Sequence, residues 1–416
     1  MPHPEPPVPQ TAAMPGRKRR RVGVAVNLTC LYRHHTDVFA GVASHARHHG
    51  WDLIADEFPE LSLTGRRPAQ PFDGIIARAT PALAAAARRR TIPLVNVWHC
   101  SPVAKTVPSV VFDYAAVGRL AGEHLRSRGL ERFCFLGHAD AQHTMSNHEL
   151  QAGFFDAVGD PARCACLAVP DMDEADGLRR WKDFRGAVAA FLKSAKPPVG
   201  IVVVPHDGTV RYLIAALQDA GLRVPGDVAI VAAVGEPTIC DISAPTITRI
   251  ELDFSRVGAL AAERLGSMMD GGPVAAADCL RVAPAGIIVG DSTRLFICDD
   301  PDVSKAMAFI EQNAAGRIGV GEVAKAIGLS RRTLDRRFHD AVGVPIAVMI
   351  RRLRIQKAKQ LLAGTDLLVK QVAVRSGFAT AKLLHDNLVR EEGMTPLDYR
   401  RRRQGHVDPD THLSHD

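Results

Sequence analysis

The chain has 416 residues, 46% of them hydrophobic, and a formal net charge of +7. That is enough for two or three domains, each with a sizeable core. No uninterrupted apolar stretch could span a membrane, and no apolar segment ahead of a small-residue cleavage site marks an export signal, so a reducing, cytoplasmic setting is expected.

The charge is unevenly spread. Residues 302–404 hold 20 Lys+Arg against 10 Asp+Glu, and the rest of the chain holds 32 against 35. A mildly acidic body joined to a basic C-terminal module implies that only the module meets a polyanion. The eight cysteines (Cys30, Cys100, Cys134, Cys164, Cys166, Cys240, Cys279 and Cys298) lie mostly in apolar runs and read as small buried hydrophobes. None has Cys-x-x-Cys zinc spacing.

Residues 1–20 form a Pro-rich tail ending in the basic run Arg17 to Arg21, read as a solvated flank. "VGVAVNL" (Val22 to Leu28) then predicts a buried strand, and Phe39, Val42, Ala43 and Ala46 a helical stripe. Further strands are predicted at "DGIIA" (Asp73 to Ala77), "IPLVNV" (Ile92 to Val97), "SVVF" (Ser109 to Phe112), "RFCFL" (Arg132 to Leu136), "VGIVVV" (Val199 to Val204) and "DVAIVAAV" (Asp227 to Val234). Each is followed by helical periodicity. Such alternation means βαβ units and parallel sheets covered on both faces, here in two successive lobes over residues 21–292.

Ligands of open α/β sheets bind beyond the carboxyl ends of the strands. That rule picks out Tyr32, His34 and His35 after the first strand, Trp98 and His99 after "IPLVNV", then Asp113, Asp207 and Glu236 after later ones. Hydroxyl-binding groups with a flat aromatic suit a sugar-type pocket. Asp113 and Asp207 also stand where a helix N-cap is wanted.

Residues 293–302 read as a linker, and 303–403 as wholly helical, followed by a tail over 404–416. Val320, Val323, Ala324 and Ile327 form one stripe, which Gly328 ends. Ser330 caps the next helix, whose Leu334 and Phe338 face inward. The pattern recurs 49–50 residues on: Val369, Val372, Ala373 and Ser376, then Gly377, a cap at Thr380, and Leu384 and Leu388 inside. Between the copies, "AVMIRRLRIQKAKQLL" (Ala347 to Leu362) has no Gly or Pro and predicts one straight helix. These are two helix-turn-helix units held apart by a rod, a geometry that can span adjacent major grooves of B-DNA.

"GLSRRTLDRRF", "RLRIQKAKQLL", the Gly377–Phe378 pair and "GMTPLDYR", in that order, resemble the DNA-binding domain of AraC-type transcription regulators. Position by position, the resemblance assigns base contact to Arg332, Asp335 and Arg336 in the first unit and to Ala381, Lys382, Leu383 and Asp386 in the second. Arg331, Thr333 and His385 lie beside them on the DNA-binding side. Leu384 and Leu388 replace the usual phenylalanines, and Asp386 stands where a basic residue is common. The first unit is therefore expected to dominate affinity.

The body, through "PHDGTVRYLIAALQDAGLRVPGDVAIVAAVGEP" and "APTITRIELDFSRVGALAAERL", resembles the effector domain of LacI/GalR-type repressors, a fold similar to periplasmic sugar-binding proteins. The implied architecture is a two-lobed α/β periplasmic-binding-protein-like domain followed by an all-α double helix-turn-helix domain. The effector contacts expected from the strand ends are Tyr32, His34, Trp98, Asp113, Asp207 and Glu236, of which Asp113 and Asp207 match the family. Two positions depart from the family: Leu150 replaces an arginine, and Val234 an aspartate, with Glu236 two residues on.

The expected function is ligand-controlled binding to a double-stranded DNA operator, with a sugar as effector, a homodimer as the active form and RNA polymerase as a further partner. No cofactor or metal is expected. A phosphate-binding Gly-x-x-x-x-Gly-Lys loop and a Gly-x-Ser-x-Gly elbow are both absent, and His45 and His49 lack an intervening glutamate. An effector-independent DNA-binding protein is the rival expectation.

Overall fold

The computed structural model describes residues 19–28, 33–64, 71–138, 144–169, 177–195, 197–204, 207–272, 278–295, 300–365 and 367–404. The body contains, in order, β1 (Arg21–Ala25), α1 (Arg33–His49), β2 (Asp52–Ala55), α2 (Pro59–Thr64), β3 (Gly74–Ala77), α3 (Pro81–Arg89), β4 (Leu94–Asn96), β5 (Ser109–Phe112), α4 (Tyr114–Ser127), β6 (Phe133–His138), α5 (Thr144–Val158), β7 (Cys164–Val169), α6 (Gly177–Ala195), β8 (Val199–Val203), α7 (Asp207–Asp219), β9 (Val228–Ala232), α8 (Pro237–Ile242), β10 (Thr248–Glu251), α9 (Phe254–Met269), β11 (Cys279–Val282) and β12 (Gly286–Ile288). The helical module follows as α10 (Pro301–Asn313), α11 (Val320–Ile327), α12 (Arg331–Val342), α13 (Ile346–Gly364), α14 (Val369–Arg375), α15 (Ala381–Glu392) and α16 (Pro396–Gln404).

Two six-stranded sheets form, each on its own lobe. The first has the order β11-β5-β4-β3-β1-β2, and its strands all pair in parallel. The second has the order β12-β10-β9-β8-β6-β7 and is parallel except for the antiparallel β10–β12 pair. The seven predicted strands are all present. The lobes are not sequential, however. Residues 253–282, carrying α9 and β11, return to the first lobe, which otherwise ends at Phe112. The second lobe comprises residues 113–252 and continues from 283 into the helical module.

The cysteine expectation needs correction. Cys134 and Cys240 are buried, but Cys100 and Cys164 are only half-buried and Cys166 and Cys279 are exposed. The last two lie on β7 and β11, the outermost strands of their sheets, where one side has no neighbour to cover them. Cys30 and Cys298 fall outside the described residues. Of the basic flank, Arg19 pairs with Asp52 at 3.4 Å, Arg20 pairs with Asp270, and the Arg21 N–H donates to Asp73 at 2.7 Å, so this end is tied to the first lobe.

Each lobe contains one helix crossing close enough to bring backbones together. In the first, α1 meets α9, and a Cβ at Gly41 would strike the Ser255 carbonyl. In the second, α4 meets α5, and a Cβ at Gly118 would strike the Leu150 carbonyl. Leu150 is fully buried there, so this position, an arginine in the resembled family, is core in this chain. Gly41→Ala must push α1 off α9 and should cost about 1–3 kcal/mol, an overpacking penalty. Urea unfolding of the variant should show a lowered midpoint.

Candidate nucleic-acid interface and effector residues

The helical module has two cores and one helix that belongs to both. Val303, Ala306 and Ile310 of α10 pack with Val323 of α11, Leu334 and Phe338 of α12, and Ile346 and Ile350 from the first half of α13. Ile355, Ala358 and Leu362 from its second half pack with Val372 of α14, Leu384 and Leu388 of α15, and Tyr399 of α16. Arg354, at the change-over, donates from Nε to the Ala314 carbonyl at 2.8 Å and from Nη2 to those of Gly316 and Ile318, both at 2.9 Å. Burial lowers its pKa. Gly377 lies against the same stitch. Its φ is 88°, and a Cβ there would meet the Ala314 carbonyl and Arg354 Nε.

The first turn closes as its residues dictate. The Glu322 carboxylate accepts from the Gly319 N–H at 2.9 Å and so completes the start of α11. Gly328 takes a φ of 80°, and the N–H groups of Gly328 and Leu329 both donate to the Ala324 carbonyl. Ser330 Oγ accepts from the Thr333 N–H at 3.2 Å and caps α12. The second turn is one residue longer: Gly377, Phe378 and Ala379 precede the cap Thr380, whose Oγ1 accepts from the Leu383 N–H. That extra residue changes the repeat offset from 49 to 50.

On α12, opposite Leu334 and Phe338, an exposed stripe runs through Arg332, Arg336 and His339. A shallow open hollow of about 460 Å³ lies along it, lined by these three, Val320, Arg331, Asp335, Asp340 and Pro345. Three of the assigned DNA-binding residues have other engagements. The Asp335 carboxylate accepts from the Ile346 N–H at 3.1 Å through Oδ1, at the start of α13. Thr333 Oγ1 lies 2.8 Å from Ser330 Oγ, within the cap. The Arg331 guanidinium lies over Gly321 on the first turn of α11. His339 was missed, although its spacing from Arg332 and Arg336 (i, i+4, i+7) was there to be read.

The corresponding face of α15 is chemically different. Lys382, Leu383, His385 and Asp386 are exposed and Ala381 is half-exposed. Lys382 and Asp386 occupy the places of Arg332 and Arg336, so two guanidiniums become an opposite-charge pair. His385 Nδ1 is 3.4 Å from Asp386. The α12 frame is braced from behind: Arg337 donates to both oxygens of Asp300, each at 2.6 Å, and Asp300 also caps α10 through the Asp302 and Val303 N–H groups.

The effector candidates lie on both lobes. In the first, the His34 ring stacks on Phe254 with centroids 5.0 Å apart, and Phe254 meets Phe112 edge-on at 4.8 Å. The Arg78 guanidinium lies 4.8 Å above Trp98. Fully buried Asn96 sets that turn, accepting from the Ala79 and Trp98 N–H groups and donating to the Trp98 carbonyl and Ser109 Oγ. Burial, then the Arg78 charge, lowers the pKa of His35. Arg78 directly follows β3, so the carboxyl-end rule would have found it. In the second lobe, Asp113 Oδ1 accepts from the Ala116 N–H at 2.9 Å and caps α4. Glu236 precedes α8 without capping it, and Asp207 begins α7. Tyr32 and the Asp207 side chain lie outside the described residues.

Residues 122–293 match a family model described as a periplasmic binding protein-like domain, and residues 323–402 one described as a helix-turn-helix domain. The xylose operon regulatory protein of Haemophilus influenzae is 26% identical over 355 residues, covering 84% of this chain and 90% of its own. The chain is a ligand-controlled, DNA-binding transcription regulator. It is homologous also to the xylose operon regulatory protein of Escherichia coli, at 25% identity over 74% of this chain and 78% of that one. A solved xylose-binding transcription activator shares the fold of this regulator, with a TM-score of 0.55, 22% identity, and coverage of 93% of this chain and 99% of its own. These relatives are transcription regulators, not enzymes, and so is this chain.

The Arg337 brace predicts a pH dependence. The hydrogen bond from Arg337 holds the Asp300 carboxyl below its usual range. A carboxylate depressed in the folded state contributes stability above its unfolded pKa and loses it as pH falls through the folded one. Arg337→Met should therefore destabilise the regulator at neutral pH, and its difference from wild type should close in acid, as read by urea unfolding at both.

Proposed function

We propose that this regulator reads a two-part DNA site with α12 and α15 and that a small sugar, with xylose the first to test, controls that reading through the two-lobed domain. The observation that carries the DNA assignment is the Arg332, Arg336 and His339 stripe, exposed on a helix whose opposite face is sealed into a core. Arginine can donate two hydrogen bonds to guanine O6 and N7, and Arg332 and Arg336 are spaced to reach successive base pairs. Arg331 approaches the phosphate backbone, while Thr333 and Asp335 support that helix through their caps. On α15, Leu383 suits a thymine methyl and Asp386 a cytosine amino group, while Ala381, Lys382 and His385 border them. The second reader adds selectivity more than affinity, because a carboxylate near phosphates repels them.

For the effector, His34, Trp98, Asp113, Asp207 and Glu236 offer the aromatic face and hydroxyl-binding groups that a sugar requires, and Tyr32 follows the same strand as His34. The names of the relatives favour xylose. The sugar acts only through its different affinities for two conformations of the domain. The working form is a homodimer in the cytoplasm, binding a repeated operator and meeting RNA polymerase there.

Arg332→Ala and Arg336→Ala should each cost about 1–3 kcal/mol of operator affinity and relax preference at one base position. Selection from randomised duplexes at fixed ionic strength measures both; unchanged preference in either variant removes that residue from the base-reading set. Asp207→Ala should bind operator like wild type, yet lose calorimetric xylose binding and the xylose response. Loss of operator binding would instead make Asp207 structural.

A further inference from the structure

Helix α4 starts at an effector candidate and ends on the DNA-binding module. Its first turn is capped by Asp113. Two polar attachments at its end, from residues four apart, reach the chain on either side of the connector. His124 Nε2 lies 2.8 Å from Thr293 Oγ1, at the end of the second lobe. Arg128, the C-cap residue, pairs with Glu311 on α10, and the two side chains are only 9% and 6% exposed. The end of α4 thus grips the chain on both sides of the connector that leads into the module.

Both grips are of a kind that resists slippage. His124 is almost enclosed; burial first, and then the Arg128 charge, lower its pKa to about 3, so it serves as a neutral hydrogen-bonding group at any physiological pH. Thr293 Oγ1 is in turn 2.7 Å from Thr248 Oγ1 on β10. A buried ion pair adds little net stability, but it penalises any arrangement that separates the charges without water to receive them. Along its length α4 cannot flex independently of its neighbour: Gly118 faces the Leu150 carbonyl and Gly153 faces that of Ala115, with no room for a Cβ at either.

We propose that α4 is the transmission rod of this regulator and that the Arg128–Glu311 pair is the joint through which it holds α10. A ligand that pulls on Asp113 moves α4 together with α5, to which it is locked. The shift loads the Arg128–Glu311 joint, and because α10 belongs to the first reader's core, both readers are re-set together. This rests on the effector reading of Asp113; the joint itself does not.

The test is the double variant Arg128→Met/Glu311→Met, which replaces both charges by apolar chains of similar length and leaves no lone buried ion. It should fold, as judged by an unfolding transition like that of wild type, and bind operator. Without sugar, trypsin should release the 1–294 fragment from it about fivefold faster than from wild type, since local opening governs cleavage. With xylose, the operator-affinity ratio with and without sugar should fall to about 1, whatever its wild-type value, because coupling is lost while xylose binding is kept. An unchanged release rate overturns the joint. A retained affinity ratio overturns the transmission. Should wild type itself ignore xylose, the sugar reading fails, and the trypsin arm still decides the joint. If the double variant does not fold, the charge-reversed pair Arg128→Glu/Glu311→Arg serves, and must restore the wild-type release rate.

Discussion

One helix shared between two hydrophobic cores is the constraint on which the DNA-binding module depends. The 19 residues of α13 give a rod of about 28 Å at the usual rise per residue. Its first half is sealed among α10, α11 and α12, and its second among α14, α15 and α16. Neither core is complete without its half of the rod. The two readers therefore cannot rotate separately without exposing Ile346 and Ile350 on one side or Ile355 and Leu362 on the other. Arg354 reinforces the junction by binding three carbonyls in the loop between α10 and α11. A half-buried guanidinium held on three carbonyls resists displacement, so the joint between the cores is stiffer than a plain helix.

A stiff frame makes differences between the readers meaningful. The inward positions repeat closely: Leu334 with Leu384, Phe338 with Leu388, Val323 with Val372. The outward positions do not, since Arg332 and Arg336 become Lys382 and Asp386. Packing sets the first group and a partner sets the second, so the change of charge on the outside points to recognition rather than stability. The smaller Leu388 in place of Phe338 is accommodated because Tyr399 of α16 enters the second core, a contribution with no counterpart in the first.

Much of this module was legible because its signals are local. A glycine with positive φ, a serine or threonine cap and apolar residues at i, i+4 each act within a turn or two, and each leaves a mark in sequence. What was not legible acts over distance. The carboxylate of Asp335 accepts from the Ile346 N–H eleven residues on, a partner that exists only once the turn at Gly343 has brought α13 back. The same holds for the body. The strands β1, β3, β4, β5, β8 and β9 are short runs with β-branched residues, β6 is a short aromatic and apolar run, and all could be read directly. The strands β2, β7, β10, β11 and β12 are polar or sit at edges, and nothing local says that residues 253–282 leave the second lobe and rejoin the first. Among the effector candidates, Trp98 could be found by position, but the Asn96 network that orients its backbone and the Arg78 guanidinium above it required the fold.

The way the second lobe ends decides what kind of motion can reach the DNA. Ser292 and Thr293 are fully buried, and Ser292 Oγ donates to the Ile230 carbonyl while accepting from the Thr248 N–H. The chain is therefore fixed to the sheet almost to Leu295, and α10 is capped at Asp300. Only four residues, 296–299, separate these points, a span of no more than about 18 Å at full extension. So short a tether forbids the module from travelling far, and leaves turning, resisted by the Arg128–Glu311 pair, as the motion open to it. Turning is also what its construction permits, because α10 carries the first core, the first core carries half of α13, and α13 carries the second reader. A small rotation at α10 therefore changes the direction in which both readers face while leaving their separation untouched. The proposed control is then a matter of aiming a rigid two-pronged reader, with the polar contacts around α10 setting the aim.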